Sequence, residues 1–294
     1  MLSILIPVFR QNIENFVLQI RQAAVFAKVD HEIIIADDGS GPEWKNALNA
    51  LERIPGIKLI FNEANKGRAS IRNQLARESR FNVLLFLDAD GELVNHKFID
   101  NYKHYFNHPI VYGGRIYRTN IPVNKNKLLH YTYGIQNESK EASIRNTKPY
   151  EFFHSNNFIV SKELILQYPF DESLKHYGYE DLLWIHQFVN KDIEIKHIDN
   201  PVIHLGLEDS TIFLLKINDS LNNLVAIEKK YGVKMIRLIR IASRLRSLGL
   251  HYVVIILYTV FEKNIRNNLL GSKPSLLLFQ FYKLANYYKA SSGS

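Results

Sequence analysis

Residues 84–92 read LLFLDADGE, and the fold of the chain turns on them. Leu84, Leu85, Phe86 and Leu87 form an unbroken apolar run, which suits a strand covered on both faces, the usual state of a central strand in an α/β sheet. Asp88 and Asp90 follow, then Gly91. Strand side chains alternate, so an extended backbone through Asp90 would send both carboxylates to one side, and Gly91 would let the chain turn away. Carboxylates at the carboxyl end of a buried strand stand where open α/β sheets bind ligands. Such a pair suits a hard divalent cation and, through it, a diphosphate. Asp-x-Asp after a strand also serves as a plain turn or helix cap. An EF-hand is excluded, because its loop needs Gly at the sixth position, which counted from Asp88 is Leu93.

Upstream, the same rhythm repeats. Residues 2–7 (LSILIP) read as a first buried strand closed by Pro7, and Asn12 is placed to cap a helix over residues 13–28 with Phe16, Val17, Ile20 and Ala24 on one face. Residues 32–36 (EIIIA) form a second strand, ending in Asp37-Asp38-Gly39-Ser40. A helix over 42–53, with Pro42 in its first turn, a strand over 57–61 and a helix over 68–79 lead to the acidic strand. This β-α-β-α-β-α-β order predicts an α/β fold with a mostly parallel central sheet and helices on both faces.

Downstream the pattern changes. A helix is expected over 96–106, a strand over 110–117 weakened by Gly113-Gly114, and a long polar loop over 119–149. Residues 152–160 (FFHSNNFIV) are strand-like, with Asn156 and Asn157 suited either to contacts with a ligand or to turn and strand-end hydrogen bonds. Residues 181–189 are expected to be helical and 193–198 to form a strand before His204. There is no cysteine, which excludes disulfides and thiolate metal sites. The amino terminus begins a strand pattern at once, with Ser3 and Arg10 where a signal peptide would carry its apolar core.

Charge divides the chain. Residues 1–215 hold 24 Lys and Arg against 26 Asp and Glu, a net −2, whereas residues 216–294 hold 13 against 3, a net +10. A helix is expected over 211–231. Beyond it, Lys234, Arg237, Arg240 and Arg244 share about a third of a helical circumference, opposite Met235, Leu238, Ile239, Ala242 and Leu245. The apolar residues 248–261 follow, 14 in number and short of the roughly 20 that span a bilayer. Residues 234–261 are therefore expected either to lie on an anionic membrane surface or to pack on the rest of the chain. A nucleic-acid surface would interleave basic and stacking aromatic residues along a groove, so no nucleic-acid partner is expected.

Five segments, SILIPVFR, EIIIADDGS, NKGRASIRN, FLDADGE and HYGYEDLLW, with His204 after them, resemble a family 2 glycosyltransferase of the GT-A fold over residues 1–215. Phe9 stands where the family commonly has Tyr. The resemblance implies a catalytic domain over 1–215 (a nucleotide-binding half, 1–106, and an acceptor-binding half, 107–215). A basic helical region over 216–290 follows, and 291–294 would be linker or tag. It also implies inverting transfer from a nucleotide-sugar donor, with UDP expected, to a hydroxyl of a glycan or lipid-linked glycan, in a cytoplasmic, membrane-peripheral setting.

Carried over by motif, Pro7, Val8 and Arg10 line the base and ribose pocket, Asp37 and Asp38 read the base, and Arg72 lies near the donor. Asp88 meets the ribose or a metal-bound water, and Asp90 and His204 bind the metal. An imidazole among oxygen donors favours Mn²⁺ over Mg²⁺. Asp181 is the base and Glu180 meets sugar hydroxyls; at a helix start both also fit plain capping. Tyr177, Gly178, Tyr179 and Trp184 shape the acceptor pocket, with core packing the other reading. A sugar nucleotidyltransferase is the rival enzyme, but PVFRQN lacks the glycine- and Lys/Arg-rich loop expected after its first strand.

Overall fold

The computed structural model describes residues 1–174, 177–232 and 236–292. Two compact units emerge, one from Met1–Tyr117, Glu138–Ser173 and Glu180–Gly206, the other from Arg118–Asn137, Leu174–Tyr179 and Leu207–Ser294.

In the first unit, β1 (Leu2–Val8), α1 (Glu14–Phe26), β2 (His31–Asp37), α2 (Pro42–Asn49), β3 (Ile57–Phe61), α3 (Arg68–Glu78) and β4 (Val83–Leu87) follow the predicted order. β5 (Gly91–Leu93), α4 (Phe98–Lys103), β6 (Ile110–Tyr112) and β7 (Arg115–Ile116) come next. A seven-stranded sheet runs β3-β2-β1-β4-β8-β6-β9, where β8 is Asn157–Ser161 and β9 is Ile195–His197. Its first four strands are parallel, and β8 is antiparallel to both β4 and β6. Alternating residues of β1 serve opposite faces. Leu2, Ile4 and Ile6 join Phe16, Val17 and Ile20 of α1, whereas Leu5 joins Ile71 and Leu75 of α3. Covered on both sides, these strands carry near-continuous apolar runs, the property that made them visible in the sequence.

Two expectations about the acidic strand are corrected. Extended backbone stops at Leu87, so strand alternation does not set the directions of Asp88 and Asp90. Nor does Gly91 turn the chain away: it opens β5, which pairs antiparallel with β10 (Val202–His204) in a second sheet ordered β5-β10-β7. The strand expected over 110–117 is two strands in two sheets. Gly113-Gly114 lies between them, and Gly114 takes φ +102°, a backbone region that suits glycine. Pro7 does not close β1; it pairs with Ala36, and the strand continues to Val8.

Arg145, at the end of α6 (Ala142–Arg145), holds this junction. Only 2% exposed, it donates from Nε to Lys140 O (2.8 Å) and from Nη2 to Ile198 O (2.8 Å) and Gly113 O (3.2 Å). Its Nη1 reaches Tyr112 O (3.3 Å) and lies 3.2 Å from His197 Nδ1. Burial, and after it the Arg145 charge, hold the His197 pKa down to about 4. A histidine charged more readily unfolded than folded adds stability above its unfolded pKa of about 6.5 and loses it as pH falls to about 4. We expect unfolding free energy from urea titration to drop by about 3 kcal/mol from this group between pH 7 and pH 4, and His197→Gln to remove that part of the acid sensitivity.

The segment 119–149, expected to be a loop, carries α5 (Leu128–Tyr133), a π turn over Gly134–Glu138 and α6. α7 (Lys162–Gln167), capped by Ser161 Oγ, and α8 (Glu180–His186) complete the first unit.

The second unit is helical: α5 with α9 (Ser210–Tyr231), α10 (Arg237–Ser247), α11 (His251–Leu269) and α12 (Leu276–Ser292). Leu129, Phe213, Tyr258, Phe279 and Tyr282 form one apolar centre of this unit, and Leu221, Leu224, Ile239, Ala242 and Tyr288 another. The apolar arc of α10, one candidate for meeting lipid, is thus packed inside the protein at Ile239 and Ala242. Lys234 and Met235 of that expected arc lie outside the described residues. Ser291 and Ser292, expected to belong to a linker, close α12 instead, with Ser291 accepting from Arg246 Nη2 at 2.7 Å.

Candidate active site

The carboxyl ends of β1, β2 and β4, the two short strands β5 and β10, α3 and the start of α8 carry the expected donor, metal and base residues, all in the first unit. Asp90 and His204 are brought together by main-chain pairing: Gly91 is opposite His204, and Leu205 N–H donates to Asp90 O at 2.9 Å. Asp90 Oδ1 stands 3.3 Å from His204 Nδ1. Burial works to raise the Asp90 pKa, but the His204 hydrogen bond and charge, with Arg115, hold it far below the usual carboxylate range.

This pair fits a divalent cation. A carboxylate oxygen and an imidazole nitrogen converge, and a Cβ added at Gly206 would fall 2.4 Å from Asp90 Oδ2, so only glycine leaves that space open. Among the described residues no group of three or more His, Cys, Asp or Glu is arranged to hold a metal. Two protein donors match a cation that takes its remaining ligands from phosphate oxygens and water.

Arg72 joins two motifs that are far apart in sequence. Only 2% exposed, it donates from Nη2 to Asp88 Oδ1 (2.7 Å), while Nη1 lies 3.5 Å from Glu180 Oε1. Asp88 therefore faces a guanidinium, and the buried Arg72 Nε has no protein partner. Glu180 is buried with Arg72 and Arg68 (3.8 Å) around it, and burial raises its pKa. Its neighbour behaves oppositely. Burial opposes the charge of Asp181, but the hydrogen bond and charge of His154, whose Nδ1 is 3.5 Å from Oδ2, prevail and lower its pKa, helped by Leu182 N–H at 2.8 Å. Adjacent carboxylates are thus pushed apart: Asp181 stays ionised and Glu180 holds a proton more readily.

Asp37 and Asp38, expected to read a base, both accept protein hydrogen bonds, Asp37 within its own loop and Asp38 from the turn before α3. Asp37 takes Ser40 N–H (3.0 Å) and the Ser40 hydroxyl, whose oxygen in turn accepts from Arg10 N–H at 2.7 Å. Asp38 takes Lys66 N–H (2.8 Å) and Gly67 N–H (3.0 Å) at the start of α3, and burial raises its pKa. Pro7 is half-buried, Val8 buried and Arg10 exposed, its guanidinium 5.0 Å from the Phe9 ring centre.

Packing decides two readings that the sequence left open. Trp184, expected to shape an acceptor pocket, is 1% exposed, stacks on Phe170 (4.8 Å) and donates to Tyr168 O, so it is a core residue. Asn157 takes the strand-end reading: it donates to Gly114 O and Asn200 O and accepts from Tyr102. Tyr177, Gly178 and Tyr179 belong to the second unit. Tyr177 N–H donates to Asp219 Oδ2 (2.8 Å), Gly178 O accepts from Asn223, and Tyr179 has φ +66° directly before Glu180. Left-handed backbone at a tyrosine is strained, and here it adjoins the acidic pair. His176 of the HYGYEDLLW motif lies outside the described residues.

Sequence reasoning missed His154 and the trio behind His204. In that trio Glu138 accepts from Arg115 Nη1 (3.0 Å) and from the Tyr117 hydroxyl, and the Tyr117 ring meets His204 edge-on at 5.2 Å. Burial acts to raise the Glu138 pKa, but the Arg115 charge brings it down to about 2. The only signal was an Arg-x-Tyr pair after Gly113-Gly114.

A mostly parallel sheet ending in acidic turns, carrying a carboxylate–imidazole pair and a buried acid pair, is an arrangement of the GT-A kind. Residues 3–166 match the family described as Glycosyl transferase family 2, more than half of the chain. The chain belongs to that family. A solved structure agrees on the fold. The mannosyltransferase PcManGT of Pyrobaculum calidifontis, in complex with GDP-Man and Mn2+, has a TM-score of 0.61 at 12% identity, covering 99% of this chain and 86% of that one. TarS 1-349 of S. aureus has a TM-score of 0.49 at 15% identity, covering 99% and 90%. No curated protein matches the sequence.

Proposed function

We propose that this glycosyltransferase moves a sugar, with inversion, from a nucleotide-sugar donor, UDP-linked, to a hydroxyl of a glycan or lipid-linked glycan, at an anionic membrane surface met by residues 234–261. The observation that carries the chemistry is Arg72, which ties Asp88 of the acidic turn to Glu180 of the acid pair. That bridge sets the donor-phosphate end and the attacking end of one reaction side by side.

Asp90 and His204 would hold a divalent cation, Mn²⁺ rather than Mg²⁺ given the imidazole, which as a Lewis acid supplies stabilisation of the departing diphosphate. Arg72 fixes Asp88 toward the donor and keeps Glu180 in place for a hydroxyl. Asp181, held ionised by His154, takes the proton of the acceptor hydroxyl as its oxygen attacks the anomeric carbon.

The test is a screen of UDP- and GDP-sugars with Mn²⁺ or Mg²⁺, reading released nucleoside diphosphate. We expect slow hydrolysis of a UDP-sugar, and Asp90→Ala to cut metal-dependent binding of the nucleoside diphosphate by at least about tenfold, the scale on which ligating groups act. Metal-independent release by the Asp90→Ala variant at the wild-type rate would remove the cation from the proposal.

A further inference from the structure

The outward side of α11 exposes six apolar side chains: Tyr252 (65%), Val253, Ile256 (61%), Leu257, Val260 (67%) and Phe261. At 100° per residue they occupy about half of the helix circumference, while Tyr258, Ile265 and Leu269 fill the buried half. A continuous apolar face of this kind marks an interaction site. Its surroundings indicate the occupant. Arg237, Arg240 and Arg244 are exposed on one arc of α10, and exposed Leu248 and Leu250 join the two helices. The only acid in residues 236–292 is Glu262, which Lys289 neutralises at 3.6 Å. A second copy would bring the same positive charge to this face, whereas anionic headgroups complement it. Among the described residues no single helix is long and apolar enough to cross a membrane, and α10 and α11 meet at 108°.

We infer that the outward face of α11 docks on an anionic lipid surface, lying in its plane with the α10 arginines toward the headgroups. This deepens the membrane reading proposed above and moves the lipid contact from the apolar arc of α10, which is packed inside the protein, to α11. Tyr252, at one end of the stripe, is a side chain that favours the bilayer interface.

Co-sedimentation of the full chain with vesicles of phosphatidylcholine alone, or of equal parts phosphatidylcholine and phosphatidylglycerol, tests it. The wild type is expected to favour the mixed vesicles by at least about tenfold, less so as salt rises. Ile256→Glu with Val260→Glu should abolish binding. Arg240→Gln with Arg244→Gln should weaken it by about tenfold or more, each arginine near the surface being worth several-fold. All variants should keep wild-type circular dichroism and nucleotide release. Equal binding to both vesicles, none to either, or wild-type binding by the glutamate pair overturns the inference. So does a concentration-dependent dimer in light scattering that the glutamate pair dissolves. Loss of nucleotide release in every protein, with vesicle binding intact, would count against the transferase reading alone.

Discussion

Replacing Asp181 by asparagine is expected to lower the rate of sugar transfer by about a thousandfold, within the range that a positioned base contributes. The affinity for the nucleotide-sugar should stay within about twofold, because the proposed base acts on the acceptor hydroxyl and not on the donor. The amide keeps the size of the carboxylate and can still bond to His154 and Leu182 N–H, so packing is preserved and only the proton acceptor is removed. Single-turnover rates beside calorimetric donor binding separate the two quantities. A near-wild-type rate would transfer the role of base elsewhere, and parallel loss of donor affinity would mean that Asp181 orders the donor site.

Arg145→Ala should be the most destabilising of the substitutions considered, by about 4 kcal/mol. The guanidinium satisfies carbonyls of Lys140, Tyr112, Gly113 and Ile198, and Asp199, its one carboxylate neighbour, is largely solvent-exposed. Truncation strands those oxygens in a buried site, each at a cost of about 1–3 kcal/mol where water does not reach. A domain with the usual 5–15 kcal/mol of stability would then sit near its folding threshold. Arg145→Lys should recover less than half of the loss, since one ammonium cannot face carbonyls on three sides of a planar fork. Urea unfolding of the three proteins checks the order.

The sheet was legible in the sequence because β1, β2 and β4 are covered on both faces, which leaves uninterrupted apolar runs. The second sheet was not legible, since β5, β7 and β10 are two or three residues long, too short for any periodicity to show. For the same reason α5 and α6, six and four residues long, were read as loop. Asp90, His204, Arg72, Glu180 and Asp181 could be named from motifs, but their partners could not. Arg115, Glu138, Arg145 and His154 are single polar residues whose meaning lies in contacts across tens of positions. Trp184 had two readings, acceptor pocket or core, and only burial separates them. The basic helix likewise had two, membrane surface or packing. Segregation of charge on α10 is the signature of an interface, but its apolar side meets protein and the uncovered side belongs to the next helix.

The pairing of Gly91 with His204, together with Leu205 N–H on Asp90 O, fastens two side chains 114 positions apart through peptide groups alone. Peptide groups do not change when side chains are replaced. Substitutions around them can therefore accumulate without pulling the Asp90 and His204 side chains apart, because the spacing of this pair is carried by the main chain.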